Sequence, residues 1–220
     1  MFQGPVWYRP MLMIVQVWDV DTGECLHELR GHYHQIYVVA FDGVRIASAG
    51  LDTTVRVWDA ETGYAMLISR GRAVLTYPHS SCLALLQGHT ALVCQLLLDP
   101  TAQQLVTGGS DGRVITFNTA PGAAFAAVHR IPAHDSSVTA LQRAGARVLS
   151  AGNDGRVRAF GARDGAPVRD LGVPADSVWK LAARANSLAV CSRRAGKTVT
   201  EIWSFAPEEE EMRELHELFR

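Results

Sequence analysis

No apolar run in this 220-residue chain approaches the roughly 18 residues a helix needs to cross a bilayer. The opening MFQGPVWYRPMLMIVQ lacks the basic start and long apolar core of a secretory leader. Excess positive charge is missing too. With 21 Lys and Arg against 22 Asp and Glu, the chain has no overall basic field, which disfavours nonspecific nucleic-acid binding as its main activity. Cysteine is scarce: Cys25, Cys82, Cys94 and Cys191 show no CxxC spacing and each sits in an apolar, strand-like run. That usage suits free thiols in a reducing compartment, without disulfide or structural zinc. The expected location is therefore cytoplasmic or nuclear. Nor is there a glycine-rich phosphate loop ending in Lys-Ser/Thr, a metal-ligand cluster, or a carboxylate pair in a recognisable catalytic setting. No catalytic residue, metal or cofactor is expected.

What is present is an ordinary globular composition, 48 % apolar and 20 % charged, arranged as a repeat. Three segments superimpose: GHYHQIYVVAFDGVRIASAGLDTTVRVWD, GHTALVCQLLLDPTAQQLVTGGSDGRVITFN and AHDSSVTALQRAGARVLSAGNDGRVRAFG. In each, a histidine precedes an aspartate at a near-constant spacing: His32 and Asp52, His89 and Asp111, His134 and Asp154. A hydroxyl stands four residues before each aspartate (Ser48, Thr107, Ser150), and an aromatic six residues after it (Trp58, Phe117, Phe160). Alternation such as Val55 and Val57 against Thr54 and Arg56 has the period of a strand with one buried face. Glycines and aspartates punctuate tight turns. A Ser-His-Asp set that recurs at one spacing in every repeat is the opposite of a single hydrolytic centre, so catalysis is not expected.

A fourth unit, DSVWKLAARANSLAVCSRRAGKTVTEIWSF, keeps the strand rhythm without the histidine or the turn aspartate. VQVWDVDTGECLHELR is expected to supply the outer strand of a preceding unit and the inner strand of the unit containing His32. The pattern stops near residue 14. Between Gly63 and Cys82 the repeat is split by an excess of 17 residues, either a loop on the rim or the in-frame translation of 51 unspliced nucleotides, and 64–81 receives no function. The tail PEEEEMRELHELFR has acids in its first turn and Met212, Leu215, Leu218 and Phe219 at helical spacing, which predicts a short amphipathic helix. Arg143, Arg147, Arg156, Arg158, Arg163 and Arg169 form a basic stretch whose members are expected mostly to be solvated. The expected organisation is thus a non-repeat segment 1–13, a repeat segment 14–205 with an insertion at 64–81, and an acidic tail 206–220.

The recurring Gly-His, turn aspartate and Trp-Asp resemble the WD-repeat family of β-propellers. The resemblance implies an all-β fold with about four blades, a partial ring of a larger propeller of seven or eight. It implies that His32, Ser48, Asp52 and Trp58 form a buried hydrogen-bond chain, with the aspartate accepting in a turn and the indole donating at the far end. His89, Thr107 and Asp111, like His134, Ser150 and Asp154, would form shorter chains because phenylalanine replaces the tryptophan. At the level of words, GHYHQIYVVAFDG, SAGLDTTVRVWD and the histidine-free SVWKLA unit are similar to the C-terminal half of F-box/WD-repeat substrate receptors of the cell-cycle-control type, found in SCF ubiquitin ligases. That resemblance implies a non-catalytic, protein-binding subunit that holds phosphorylated substrate peptides on its top face. Its SCF adaptor and cullin partners would require an F-box in the full-length protein. The positions implied at the top face are Tyr37, Leu51, Ser110, Thr139, Asn153, Trp179, Arg193 and Arg194, of which only the last two have the planar donor fork that suits phosphate.

Overall fold

The computed structural model describes residues 13–63, 66–69, 72–75, 82–184 and 187–204. Every regular element among them is a strand, and consecutive strands pair antiparallel into successive sheets. The first complete blade comprises β3 (Ile36–Phe41), β4 (Arg45–Gly50), β5 (Val55–Asp59) and β8 (Ala84–Leu86). The second runs β9 (Val93–Asp99), β10 (Gln104–Gly109), β11 (Arg113–Asn118) and β12 (Ala127–Pro132). The third runs β13 (Val138–Ala144), β14 (Arg147–Gly152), β15 (Val157–Gly161) and β16 (Pro167–Leu171). A fourth has three strands, β17 (Ser177–Arg184), β18 (Ser187–Arg194) and β19 (Lys197–Ser204).

Ahead of these, β1 (Ile14–Trp18) and β2 (Cys25–Arg30) pair only with each other. This corrects the expectation that β2 is the inner strand of the His32 blade: both strands belong to one preceding half-blade. The tight turn at Asp19–Gly23, closed by Gly23 N–H to Asp19 O, folds β2 straight back on β1. Between β5 and β8, β6 (Met66–Ser69) and β7 (Arg72–Leu75) form a separate two-stranded hairpin. The rest of 64–81, and the tail 206–220 with its predicted helix, lie outside the described residues, as do residues 1–12.

The blades stack face to face. At the first junction, Ala47 and Ala49 beside Val55 and Val57 receive Leu105 and Phe117 of the second blade, while at the second junction Val106 and Val114 meet Val148 and Phe160. At the third, Ala151 and Ala159 meet Leu181 and Leu188, and Ile46 and Trp58 pack back on Val15 and Leu29. Stacking also corrects the one-faced reading of the strands: Arg56 and Thr54, the polar half of the alternation, are only 6 % and 9 % exposed. A middle strand with sheets on both sides has no solvent face.

Turn chemistry explains one local oddity. After each turn aspartate the chain adopts a left-handed backbone, with glycine in the second and third blades (Gly112, φ 73; Gly155, φ 78) but Thr53 at φ 62 in the first. A β-branched residue is strained there. Thr53→Gly is expected to raise stability by about 0.5–1 kcal/mol, the strain relieved less the extra freedom of glycine in the unfolded chain. Thermal unfolding of the full chain should show a rise of about 2 °C.

Candidate functional site

The site is built from the innermost strands β3, β9, β13 and β17, neighbours of one another in the ring. Near its start, each inner strand slips by one residue against its partner, leaving Tyr37, Cys94, Thr139 and Trp179 as the extra residues. A bulge of this kind re-aims a side chain. The segment before each bulge is pinned across the blade: Leu51 N–H donates to Gln35 O, Ser110 N–H to Leu92 O, and Asn153 N–H to Ser137 O, at 2.8–2.9 Å. The residues implied for the top face therefore gather at one end of the inner strands.

They are not equivalent there. Tyr37, Leu51 and Trp179 are 51 %, 45 % and 39 % exposed, and Asn153 is exposed while Ser110 is partly covered. The Thr139 hydroxyl donates to the carbonyl of Val178 at 2.5 Å, so it clasps the next blade; the Cys94 thiol does the same to Val138 at 3.0 Å. Successive side chains of a strand point to opposite faces, which separates Arg193 from Arg194. Arg194 is turned inward, bonding the Val173 carbonyl at 3.1 Å and lying 3.5 Å from Glu201. Arg193 is exposed and stands where the other blades place Leu51, Ser110 and Asn153; its carbonyl accepts from Asp176 N–H at 2.8 Å. Tyr33, 73 % exposed with its ring 5.7 Å from the Arg56 guanidinium, joins the same end. Nothing in the repeat marks it, because the position holds Thr90 and Asp135 in the other blades.

Beneath this end lie the polar chains. Trp58 Nε1–H donates to Ser48 Oγ at 2.9 Å, and the Ser48 hydroxyl sits 2.8 Å from His32 Nε2. His32 Nδ1 then lies 2.8 Å from Asp52 Oδ2. In the second and third blades the chain runs Thr107–His89–Asp111 and Ser150–His134–Asp154, at 2.8–3.0 Å per step, with Phe117 and Phe160 in the tryptophan position. Burial pushes the His32 and His134 imidazoles below the usual histidine value, against the pull of their aspartates. Both are accordingly neutral at pH 7, with Nδ1–H donating to the carboxylate. Burial raises Asp52, Asp111 and Asp154, yet hydrogen bonds from histidine and turn N–H groups outweigh it and hold each below the ordinary carboxylate range. Each aspartate ties a histidine to the turn around it. Asp52 also accepts from Tyr33 N–H, Thr54 N–H and the Thr54 hydroxyl.

The pattern of the WD domain, G-beta repeat, matches residues 23–59, 80–118 and 125–160, together just over half of the chain. This chain belongs to the WD-repeat family. WD-repeat relatives include cell division control protein 4 of Saccharomyces cerevisiae, 28 % identical over 86 % of this chain, and the F-box/WD repeat-containing protein sel-10 of Caenorhabditis elegans, 31 % identical over 70 %. The matched region is 24 % of each relative, so this chain spans about a quarter of their length. Among solved structures, the WD40 β-propeller domain of Doa1 superposes with a TM-score of 0.64 at 17 % identity, covering 87 % of this chain and 57 % of that one. The WD-repeat propeller is thereby the fold, and the WD repeats with their relatives support a protein-binding scaffold.

The basic stretch of the third WD blade divides. Arg147, Arg163 and Arg169 are exposed, in line with a solvated surface, but Arg143, Arg156 and Arg158 are half-buried. Arg143 lies 3.6 Å from Asp99, while Arg158 and Arg156 lie 3.2 and 3.8 Å from Asp170. Among the described residues no group of three or more His, Cys, Asp or Glu could hold a metal ion, and no helix is long and apolar enough to cross a membrane.

Proposed function

We propose that this chain is the substrate-recognition half of a phosphodegron receptor: the C-terminal propeller blades of an SCF-type E3 ubiquitin ligase subunit that directs partners to ubiquitin-dependent degradation. In this reading residues 14–205 supply the last four blades, 64–81 is an insertion with no part in recognition, and 206–220 is an appended acidic tail. The observation that carries it is Arg193, an exposed guanidinium at the same end of the blades where the inner-strand Trp179, on the strand paired with its own, opens to solvent. Its fork matches a phosphate's oxygens, and the neighbouring Trp179 offers an apolar flank for a peptide. Arg194, Thr139 and Ser110 play supporting roles, because the first two are tied into the blades and the third is partly covered. The similarity to sel-10, whose name joins an F-box to WD repeats, supports the ligase setting. The SCF adaptor and cullin would be recruited through an F-box elsewhere in the full-length protein.

The test is affinity capture with the protein expressed from its complete transcript, together with a phosphopeptide array. Adaptor and cullin should co-purify. Phosphorylated peptides should be retained over their unphosphorylated forms, and Arg193→Glu should weaken that retention about tenfold or more, the loss of one charge-assisted contact. Capture of partners without adaptor or cullin, and binding indifferent to phosphorylation, would instead make the chain a ligase-independent WD-repeat scaffold.

A further inference from the structure

Charge is distributed unevenly along the arc of blades. Residues 13–63 hold three Arg against eight Asp and Glu, whereas residues 127–204 hold twelve Lys and Arg against six. On the outer rim of the basic half, β16 stands as a ridge between two clefts. One, of about 460 Å³, has Ile131, Phe160 and Val168 in its wall together with Arg158 and Arg169. The other, of about 370 Å³, lies against Trp203 and Ser204, and both clefts share Arg169 and Asp170. Two arginines meet here over one carboxylate, Arg156 and Arg158 both lying within 4 Å of Asp170, and Arg169, the next residue along the strand, is exposed. The surface is thus partly apolar, with Val168 44 % exposed, and short of negative charge.

We propose that the chain's own tail, residues 205–220, covers this surface in cis. The tail lies outside the described residues, and it continues directly from Ser204, which lines the second cleft. Its composition complements the clefts: six glutamates against Arg213 and Arg220, with Met212, Leu215, Leu218 and Phe219 as apolar contacts. Sixteen residues span about 24 Å as a helix and up to about 55 Å extended, ample to pass over a ridge one strand wide. Tethering at the edge of the cleft sets the tail's effective concentration near the millimolar range, so two or more weak ion pairs and a few apolar contacts suffice to hold it.

Hydrogen–deuterium exchange of the full chain tests this. Amides of residues 167–172 and of the tail should exchange about tenfold more slowly at 50 mM than at 500 mM salt, the worth of two surface ion pairs under weak screening. Arg169→Glu should abolish that protection, Arg147→Glu, an exposed change outside both clefts, should leave it intact, and Glu208→Lys with Glu209→Lys should restore it in the Arg169→Glu background. Exchange indifferent to salt and to Arg169→Glu overturns the proposal. So does protection that grows with protein concentration alongside a dimer in light scattering, which assigns the acidic segment to a second copy. Equal protection in a chain ending at Ser204 also overturns it.

Discussion

Asp52→Ala is expected to destabilise the first complete blade by about 3–5 kcal/mol, because it strands several donors at once. The Asp52 carboxylate, its side chain only 4 % exposed, accepts from His32 Nδ1–H, Tyr33 N–H, Thr54 N–H and the Thr54 hydroxyl. His32 and Thr54 are themselves buried, so no water replaces the lost acceptor at the imidazole. A buried unsatisfied donor costs about 1–3 kcal/mol, and at least two result. The damage also propagates: without its anchor the imidazole no longer presents Nε2 to Ser48, and the Trp58 end of the chain loses its reference. Trp58→Phe should be milder at about 2 kcal/mol, since it removes one donor and part of a buried ring packed on Val15 and Leu29 but leaves Ser48 its histidine; the second and third blades carry phenylalanine there. Urea unfolding of the full chain measures both. A loss below about 1 kcal/mol for Asp52→Ala would mean that the buried chain orders the blade without stabilising it.

Gly155→Ala is expected to cost about 3 kcal/mol or more and to loosen the fourth blade selectively. Gly155 sits at φ 78, where a side chain is strained, and a Cβ would overlap the carbonyl oxygen of Ala175. The obstacle is backbone, with no flexible side chain to swing aside. Ala175 N–H also donates to Gly155 O at 2.9 Å, a bond that joins the third blade's turn to the segment entering the fourth. Relieving the clash means breaking that link. The control is Gly145→Ala: φ there is 55, but nothing lies within 4 Å of the added carbon, so only the conformational penalty of about 1 kcal/mol remains. Hydrogen exchange separates the outcomes. Gly155→Ala should speed exchange in β17, β18 and β19 while β9–β12 keep theirs, and uniform loss across all blades would show that the stack unfolds as one unit.

Much of this was legible along the chain because the repeat imposes the same local constraints several times over. His32, Ser48, Asp52 and Trp58 are spaced so that one blade's geometry alone brings them together, and their near-copies at His89 and His134 single out that spacing against chance. Strand existence was equally legible, since runs such as VRVWD and RVITFN are bounded by turn residues whose chemistry is local. Thr53 shows the limit of that reading: its left-handed backbone becomes visible only once the turn is built.

The fold and the hydrogen-bonding residues within each repeat were readable along the chain, because these depend on spacings of a few tens of residues at most. Which sheet each strand completes and which faces are covered emerged once the strands were assembled. Pairing β2 with β1 rather than with β3 is a choice of partner and register, to which a periodic pattern is blind. Arg56 reads as a solvent-side residue until two stacked sheets bury it. Arg193 and Arg194 are neighbours of identical chemistry, separated because a pleated strand sends them to opposite sides, one towards Glu201 and the other towards solvent. The clefts flanking β16 exist for the same reason: residues from β12, β15, β16 and β19 meet there only when three blades are stacked.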